Sequence, residues 1–309
     1  MTNQLASARG VFAIAATPFR DDGRLDTAGI DRLTDFYVAC GVDGLTILGI
    51  MGEAPKLEPE ESLAVIRQAL GRTRLPVIVG VSASGFAAMH RLARESMDLG
   101  AAGVMIAPPS HLRSDDQILA YYAQAVEAIG MDVPFVIQDY PLALSVIMSP
   151  RVIRTIVQNH ASCAMVKHED WPGLDKITQL KAFMAEGSMR PVSILCGNGA
   201  LFLDFEMERG ASGAMTGYAF PELLVDVVRL QRDGRRDAAH DLFDAHLPLI
   251  RYEQQPGIGL AVRKYVLKKR GIIASDAQRK PGSSLTGTSR AEVDYLLARL
   301  ARHDKRAAI

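Results

Sequence analysis

Short apolar runs alternate with longer stretches of helical period, and they do so eight times between residues 11 and 216. The runs cover residues 11–16, 44–48, 76–81, 103–107, 134–137, 163–166, 193–196 and 213–216. Each is four to six residues long, too short for a helix, and apolar at consecutive positions. A parallel strand covered on both faces has that pattern. Helix starts fall between the runs. Ser114-Asp-Asp-Gln117 has the form of a capping box, and Pro59 precedes two acidic residues, Glu60 and Glu61. Ser149-Pro150 and Phe220-Pro221 repeat the start signal. Eight β–α alternations predict a (β/α)8 TIM barrel, with an open doubly wound sheet as the alternative, because closure of a sheet leaves no mark on a sequence. Beyond Phe220 only helical periodicity remains, over residues 221–232, 238–252, 258–270 and 290–303, with the longest loop at 273–289. One of the first two serves as the eighth barrel helix. We therefore expect a barrel domain over residues 1–233 and a C-terminal helical region over 234–309.

Composition narrows the function classes. The 309 residues are 48% hydrophobic and 23% charged, enough for a sizeable core and without bias toward disorder. Lys plus Arg and Asp plus Glu number 35 each, so there is no electrostatic reason to expect nucleic acid or an anionic membrane as partner. The apolar runs are strand-sized and far short of a bilayer span. Residues 1–10 lack the basic start and apolar centre of a secretory leader. Cys40, Cys163 and Cys196, odd in number and widely spaced, read as buried free thiols in a reducing compartment. A soluble, cytoplasmic protein is expected.

In a TIM barrel the chemistry lies at the C-terminal ends of the strands. One residue there stands out. Lys167 directly follows the apolar run Cys163-Ala-Met-Val166 and shares a strand face with Met165. If that face is the barrel interior, burial disfavours the ammonium, and a neutral amine in a dry pocket is what attack on a ketone requires. The bland alternative is a solvent-facing lysine that opens a loop. Gly49-Ile50-Met51-Gly52 after the second run can bring backbone N–H groups to a carboxylate or can be a tight turn only. The turns after runs seven and eight hold no Lys or Arg, which argues against phosphate. His111 and His168 have no ligand-spaced His or Cys partner, so neither a metal nor any other cofactor is expected. Arg263, Lys264, Lys268, Lys269 and Arg270 read as the solvated face of a C-terminal helix.

Several short elements, taken in order, carry a family resemblance. They are Ala16-Thr-Pro-Phe19, Gly41-Val-Asp-Gly44, the Gly-x-x-Gly-Glu element at Gly49–Glu53, Pro108-Pro109, Lys167, Gly197-Asn198 and Gly210-Ala-Ser-Gly213. On these the chain resembles the dihydrodipicolinate synthase/N-acetylneuraminate lyase superfamily of class I aldolases over nearly its whole length. The resemblance implies a barrel with a helical C-terminal region, a homotetramer, and a small-molecule partner, a 2-keto acid bound as a Schiff base on Lys167. It implies that Gly49, Ile50, Met51, Gly52 and Glu53 hold the carboxylate of that acid and that Met215 packs against it.

The departures from the family pattern are as informative. Where the synthases and lyases carry Thr or Ser in the middle of the turn, this chain has Ile50 and Met51, which cannot hydrogen-bond or relay a proton through their side chains. The family's catalytic Tyr, three residues before the Pro that follows strand five, corresponds to Gln138, and the Tyr after the Pro-Pro pair corresponds to Ser110. The Arg that recruits aspartate semialdehyde is also absent after Pro141. Gln138-Asp139, Gly213-Ala-Met-Thr-Gly217 and Phe220-Pro221 are similar to the branch that contains 2-keto-3-deoxy-L-arabonate dehydratase. The expectation is a Schiff-base lyase, dehydratase or aldolase, acting on a 2-keto acid such as a 2-keto-3-deoxy sugar acid. Lys167 serves as nucleophile and Gln138 orients the intermediate, while the proton donor is a bound water, His111, Tyr140 or Glu169. The alternatives are a pyruvate condensation of the dihydrodipicolinate synthase type and a barrel that binds keto acids without turnover.

Overall fold

The computed structural model describes Gln4 to Ile309; the first three residues of the segment read for a leader lie outside the described residues. Eight parallel strands run in sequence order: β1 (Gly10–Ile14), β2 (Gly44–Ile47), β3 (Val77–Gly80), β4 (Gly103–Ile106), β5 (Phe135–Asp139), β6 (Cys163–His168), β7 (Ser193–Cys196) and β8 (Gly213–Ala214). They close on themselves, because β8 pairs with β1 through Gly10 opposite Gly213 and Val11 opposite Ala214. Closure removes both sheet edges and excludes the open doubly wound alternative.

The helices sit between and outside the strands: α1 (Thr27–Ala39), α2 (Pro59–Arg72), α3 (Phe86–Asp98), α4 (Asp115–Ile129), the single turn α5 (Pro141–Leu144), α6 (Pro150–Asn159), α7 (Leu174–Ala185), α8 (Leu203–Glu208) and α9 (Pro221–Arg232). The start signals act as expected. Ser114 accepts from the Gln117 N–H while the Gln117 side chain returns to the Ser114 N–H. Pro59, Pro150 and Pro221 each open a helix, where a missing N–H costs nothing. The helix that completes the eighth β–α unit is α9, which packs on β8 and on β1. Three more follow, α10 (Arg236–Glu253), α11 (Gly259–Lys269) and α12 (Gly287–Leu300). Their apolar faces, including Phe243, Leu249, Val262, Val266, Val293 and Leu297, join the same hydrophobic cluster as the barrel helices.

Two apolar layers result from strand alternation. Val11, Leu45, Val77, Val104, Ile137 and Ile194 face the helices. Phe12, Ile14, Ile78, Met105, Val136, Met165, Leu195 and Met215 fill the barrel interior, with Leu5 of an N-terminal 3₁₀ turn among them. A register shift occurs at Phe135/Val136, where Phe135 pairs with Cys163 but Val136 with Met165. Beyond it the pairing continues in step and brings Gln138 beside Lys167. Among the described residues no helix is long and apolar enough to cross a membrane.

Candidate active site

The last residues of β5 and β6 build the centre of the site. Lys167 lies on the interior face of β6, 5% exposed, and its Nζ is 2.9 Å from Oε2 of Glu169. The Gln138 amide donates to that same oxygen at 2.8 Å, and the backbone N–H of Asn198 donates to Oε1 at 3.1 Å. The Glu169 backbone is itself fixed by an N–H bond to the Asp139 carbonyl, 2.9 Å. Gly197 makes room for the carboxylate: a Cβ there would fall 2.3 Å from Glu169 Cγ. The amine of Lys167 is thus buried, as the strand pattern implies, but paired instead of isolated. Two hydrogen-bond donors and an ammonium on one carboxylate hold it in a single orientation.

These groups open into a cavity of about 670 Å³, of a size that suits a small organic acid. Gly49, Ile50 and Met51 line it from the β2 side, Gln138 and Tyr140 from β5, Lys167 and Glu169 from β6, Asn198 and Gly199 from β7, and Thr216 and Gly217 from β8. Ile50 to Gly52 form a single 3₁₀ turn, entered through Leu48 at φ 54° and left through Glu53 at φ 56°. The first N–H groups of such a turn have no acceptor within it. Burial raises the Tyr140 phenol above its usual range, with the nearby Glu169 adding to the rise and Arg263 opposing it. Tyr140 is therefore a neutral hydroxyl at the cavity wall. His111 is exposed and does not line the cavity.

Three residues expected at the ligand do not line the cavity. Gly52 is buried under the turn, its carbonyl accepting from the Thr17 hydroxyl at 2.6 Å. Glu53 faces away, 1% exposed, and its carboxylate takes Lys264 Nζ at 2.6 Å, Lys56 Nζ at 3.0 Å and the Arg279 N–H at 3.0 Å. Met215 is enclosed in the barrel interior with Met165 and Leu195. The reading of the α11 basic residues as a solvated face holds for Lys268 and Lys269, which are exposed, and fails for Arg263 and Lys264, which are 1% and 0% exposed. Cys40 is only half-buried, while Cys163 and Cys196 are buried, and all three are free thiols.

Sequence reasoning missed the contribution of the C-terminal helices. Glu253, Gln254, Gln255, Pro256, Gly257, Leu260 and Arg263, from the end of α10 to α11, complete the cavity wall. The Gln254-Gln255-Pro256-Gly257 turn between two amphipathic helices was the available signal, but nothing in its composition says that it lies over the strand ends. Among the described residues no three His, Cys, Asp or Glu side chains converge as a metal-binding group.

Comparison with known proteins places this geometry. Residues 7–300 match the model of the dihydrodipicolinate synthetase family. The chain belongs to that family. It is 31% identical, over 94% of both chains, to L-2-keto-3-deoxyarabonate dehydratase of Azospirillum brasilense. A crystal structure of a dihydrodipicolinate synthase from Rhodopseudomonas palustris superposes with a TM-score of 0.94 at 68% identity, covering 95% of this chain and 98% of that one. YagE of Escherichia coli K12, a member of the same family solved with pyruvate, shares the fold at a TM-score of 0.86 and 24% identity, covering 94% and 98% of the two chains. Family membership gives the enzyme class, a class I lyase, and the family's members include dehydratases and aldolases of keto-acid sugars.

Proposed function

We propose that the chain dehydrates a hydroxylated 2-keto acid on Lys167, with Glu169 moving the protons. The observation that carries this reading is the 2.9 Å contact between the Lys167 amine and a carboxylate oriented by Gln138 and Asn198. Transfer of the ammonium proton to Glu169 frees the amine to attack the C2 carbonyl, and Glu169 returns that proton to the carbinolamine hydroxyl, which leaves as water to give an iminium. The iminium acidifies C3. Nζ is bonded to C2 in the iminium, so a carboxylate that touches Nζ stands next to C3, well placed to take a C3 proton and leave an enamine. The enamine electrons then expel the C4 hydroxyl, which leaves as water with the proton from Glu169, and water hydrolyses the resulting conjugated imine to regenerate Lys167. The net change is loss of one water from the keto acid. Aldol cleavage would instead begin with removal of the C4 hydroxyl proton from the same iminium, and the product distinguishes the two.

The N–H groups of Ile50 and Met51, at the start of a 3₁₀ turn on the cavity wall, support a role in holding the substrate carboxylate. The R. palustris protein bears the name dihydrodipicolinate synthase. In this chain the positions of that reaction's hydroxyl relay hold Ile50, Met51, Gln138 and Ser110, and a carboxylate stands at the amine, which supports elimination over condensation. The same reading carries a cytoplasmic homotetramer: the assembly rests on the sequence resemblance and the compartment on three free thiols; sedimentation equilibrium tests the assembly.

The test is borohydride reduction in the presence of pyruvate and a panel of 2-keto-3-deoxy sugar acids, followed by peptide mapping and by NMR of the unreduced product. An adduct on Lys167 with a product one water lighter is expected. An adduct with no product from any acid would replace the enzyme by a binding barrel. Release of pyruvate and an aldehyde would replace elimination by aldol cleavage.

A further inference from the structure

The cavity has a second polar feature on the wall that α10 and α11 supply. Arg263 is 1% exposed, and among the described residues its guanidinium uses a single hydrogen bond, from Nε to Oε1 of Glu253 at 2.5 Å. Its terminal nitrogen Nη1 is buried and has no partner among the described residues. Both Arg263 and Glu253 line the same cavity as Lys167. Gly217, after β8, accommodates the guanidinium, since a Cβ there would fall 2.1 Å from Nη1. A guanidinium cannot shed its charge and offers five donors, so leaving terminal donors unmet in a dry wall is costly unless a ligand supplies an acceptor.

The ligand chemistry follows from what stands beside that donor. Arg263 and Glu253 together are neutral, so the wall attracts no second anion, and a distal carboxylate would meet the Glu253 carboxylate at close range. A hydroxyl is neutral and accepts from the guanidinium without that repulsion. We infer that Arg263, held by Glu253, recognises a hydroxyl on the carbon tail of a 2-keto acid whose keto end lies at Lys167. Arg263 is then a specificity-determining residue: it selects polyhydroxylated 2-keto acids over short or dicarboxylic ones. This rests on the Schiff-base reading above and deepens it.

The experiment compares wild type, Arg263→Gln and Arg263→Lys in borohydride trapping with three probes: pyruvate, a five-carbon 2-keto-3-deoxy sugar acid and 2-ketoglutarate. Thermal melts establish that each variant folds, and an Arg263→Met/Glu253→Met double variant, which replaces the ion pair with apolar side chains, serves if Arg263→Gln does not. Pyruvate, which has no tail, is expected to saturate the Gln variant within about twofold of wild type. The sugar acid is expected to need about 10–100-fold more, the value of one hydrogen bond to a charged group. The Lys variant recovers part of the loss. Equal loss for pyruvate and sugar acid, or no loss for either, overturns the inference, as does a loss confined to 2-ketoglutarate. Calorimetric binding of the sugar acid to the unreduced proteins separates the two readings. If wild type forms no adduct with pyruvate, Schiff-base chemistry fails, while the affinity ratio between wild type and Arg263→Gln still decides the role of Arg263.

Discussion

Two buried lysine–glutamate pairs in this protein look alike by distance and differ in what surrounds them. Lys264 and Glu53 meet at 2.6 Å, Lys167 and Glu169 at 2.9 Å. Around the first pair every polar group is engaged. Lys264 also donates to the Ala277 carbonyl at 2.9 Å and lies over the Phe19 ring, and Glu53 accepts from Lys56 and from the Arg279 backbone. Burial pushes the Lys264 ammonium below the usual lysine range and Glu53 pulls the other way. That pair fastens the 3₁₀ turn after β2 to α11 and the loop that follows. The second pair opens into a cavity, and its donors come from an amide and a backbone N–H, neither of which titrates near neutrality. A buried ion pair is a brace when its surroundings saturate it and a reagent when one side is left for a ligand.

Breaking the reagent pair has the largest expected effect. Lys167→Ala should lower turnover by roughly 10⁴-fold or more and remove the borohydride adduct; it leaves Glu169 with neutral donors only and so also costs stability, and a folded variant with substantial turnover would refute the mechanism. Glu169→Gln keeps the size of the side chain and removes the base. It should still trap pyruvate on Lys167, while turnover falls by about 10²–10⁴-fold. If turnover survives, the proton is carried by Tyr140 or by water.

The brace pair should respond in the opposite sense. Lys264→Met leaves Glu53 with Lys56 and the Arg279 N–H but without its closest cation and should cost about 1–3 kcal/mol in chemical denaturation, whereas Lys264→Met with Glu53→Met should recover most of it. Trapping of pyruvate by the folded fraction is expected to persist, and a specific loss of trapping at full stability would move this pair into the reaction.

A third buried carboxyl sharpens the comparison because it has no salt bridge to Lys or Arg among the described residues. Glu206 in α8 is pushed by burial from 4.5 to about 7, opposed in part by His168 and by a hydrogen bond with Cys196. The folded protein therefore keeps this proton to higher pH than the unfolded chain does. Its contribution to stability is complete below about 4.5 and is lost as the pH rises through about 7. Glu206→Gln should flatten that slope and raise stability on the alkaline side by no more than about 3 kcal/mol. Urea midpoints at about pH 5 and about pH 8 measure it, and parallel pH dependence in the two proteins would show that Glu206 is already ionised when folded.

The barrel was legible because its grammar is local. Runs of strand length, helix starts at Pro59, Ser114, Pro150 and Pro221, and eight repeats each depend on residues a few positions apart. Lys167 was legible for the same reason, as a charge at the end of a strand that must be buried. Gly52 and Glu53 show where that reading stops. They occupy the motif, but the direction of the Glu53 carboxylate is set by Lys264, 211 residues further on. Arg263 and Lys264 look like part of a solvated basic stripe in sequence, and become buried because α11 lies between the strand ends and the turn after β2.

The sequence by itself determined the order and kind of the elements and put a lysine at the end of an apolar strand, since both follow from residue type and short spacing; that Ile50, Met51 and Gln138 replace a hydroxyl relay comes from the family resemblance. Only the tertiary structure decided that the sheet closes, that Glu169 and not His111 stands at the amine, and that α10 and α11 wall the cavity. Those outcomes depend on which distant groups meet in a low-dielectric interior, where contact geometry fixes whether a charge is neutralised, held or left open to a ligand.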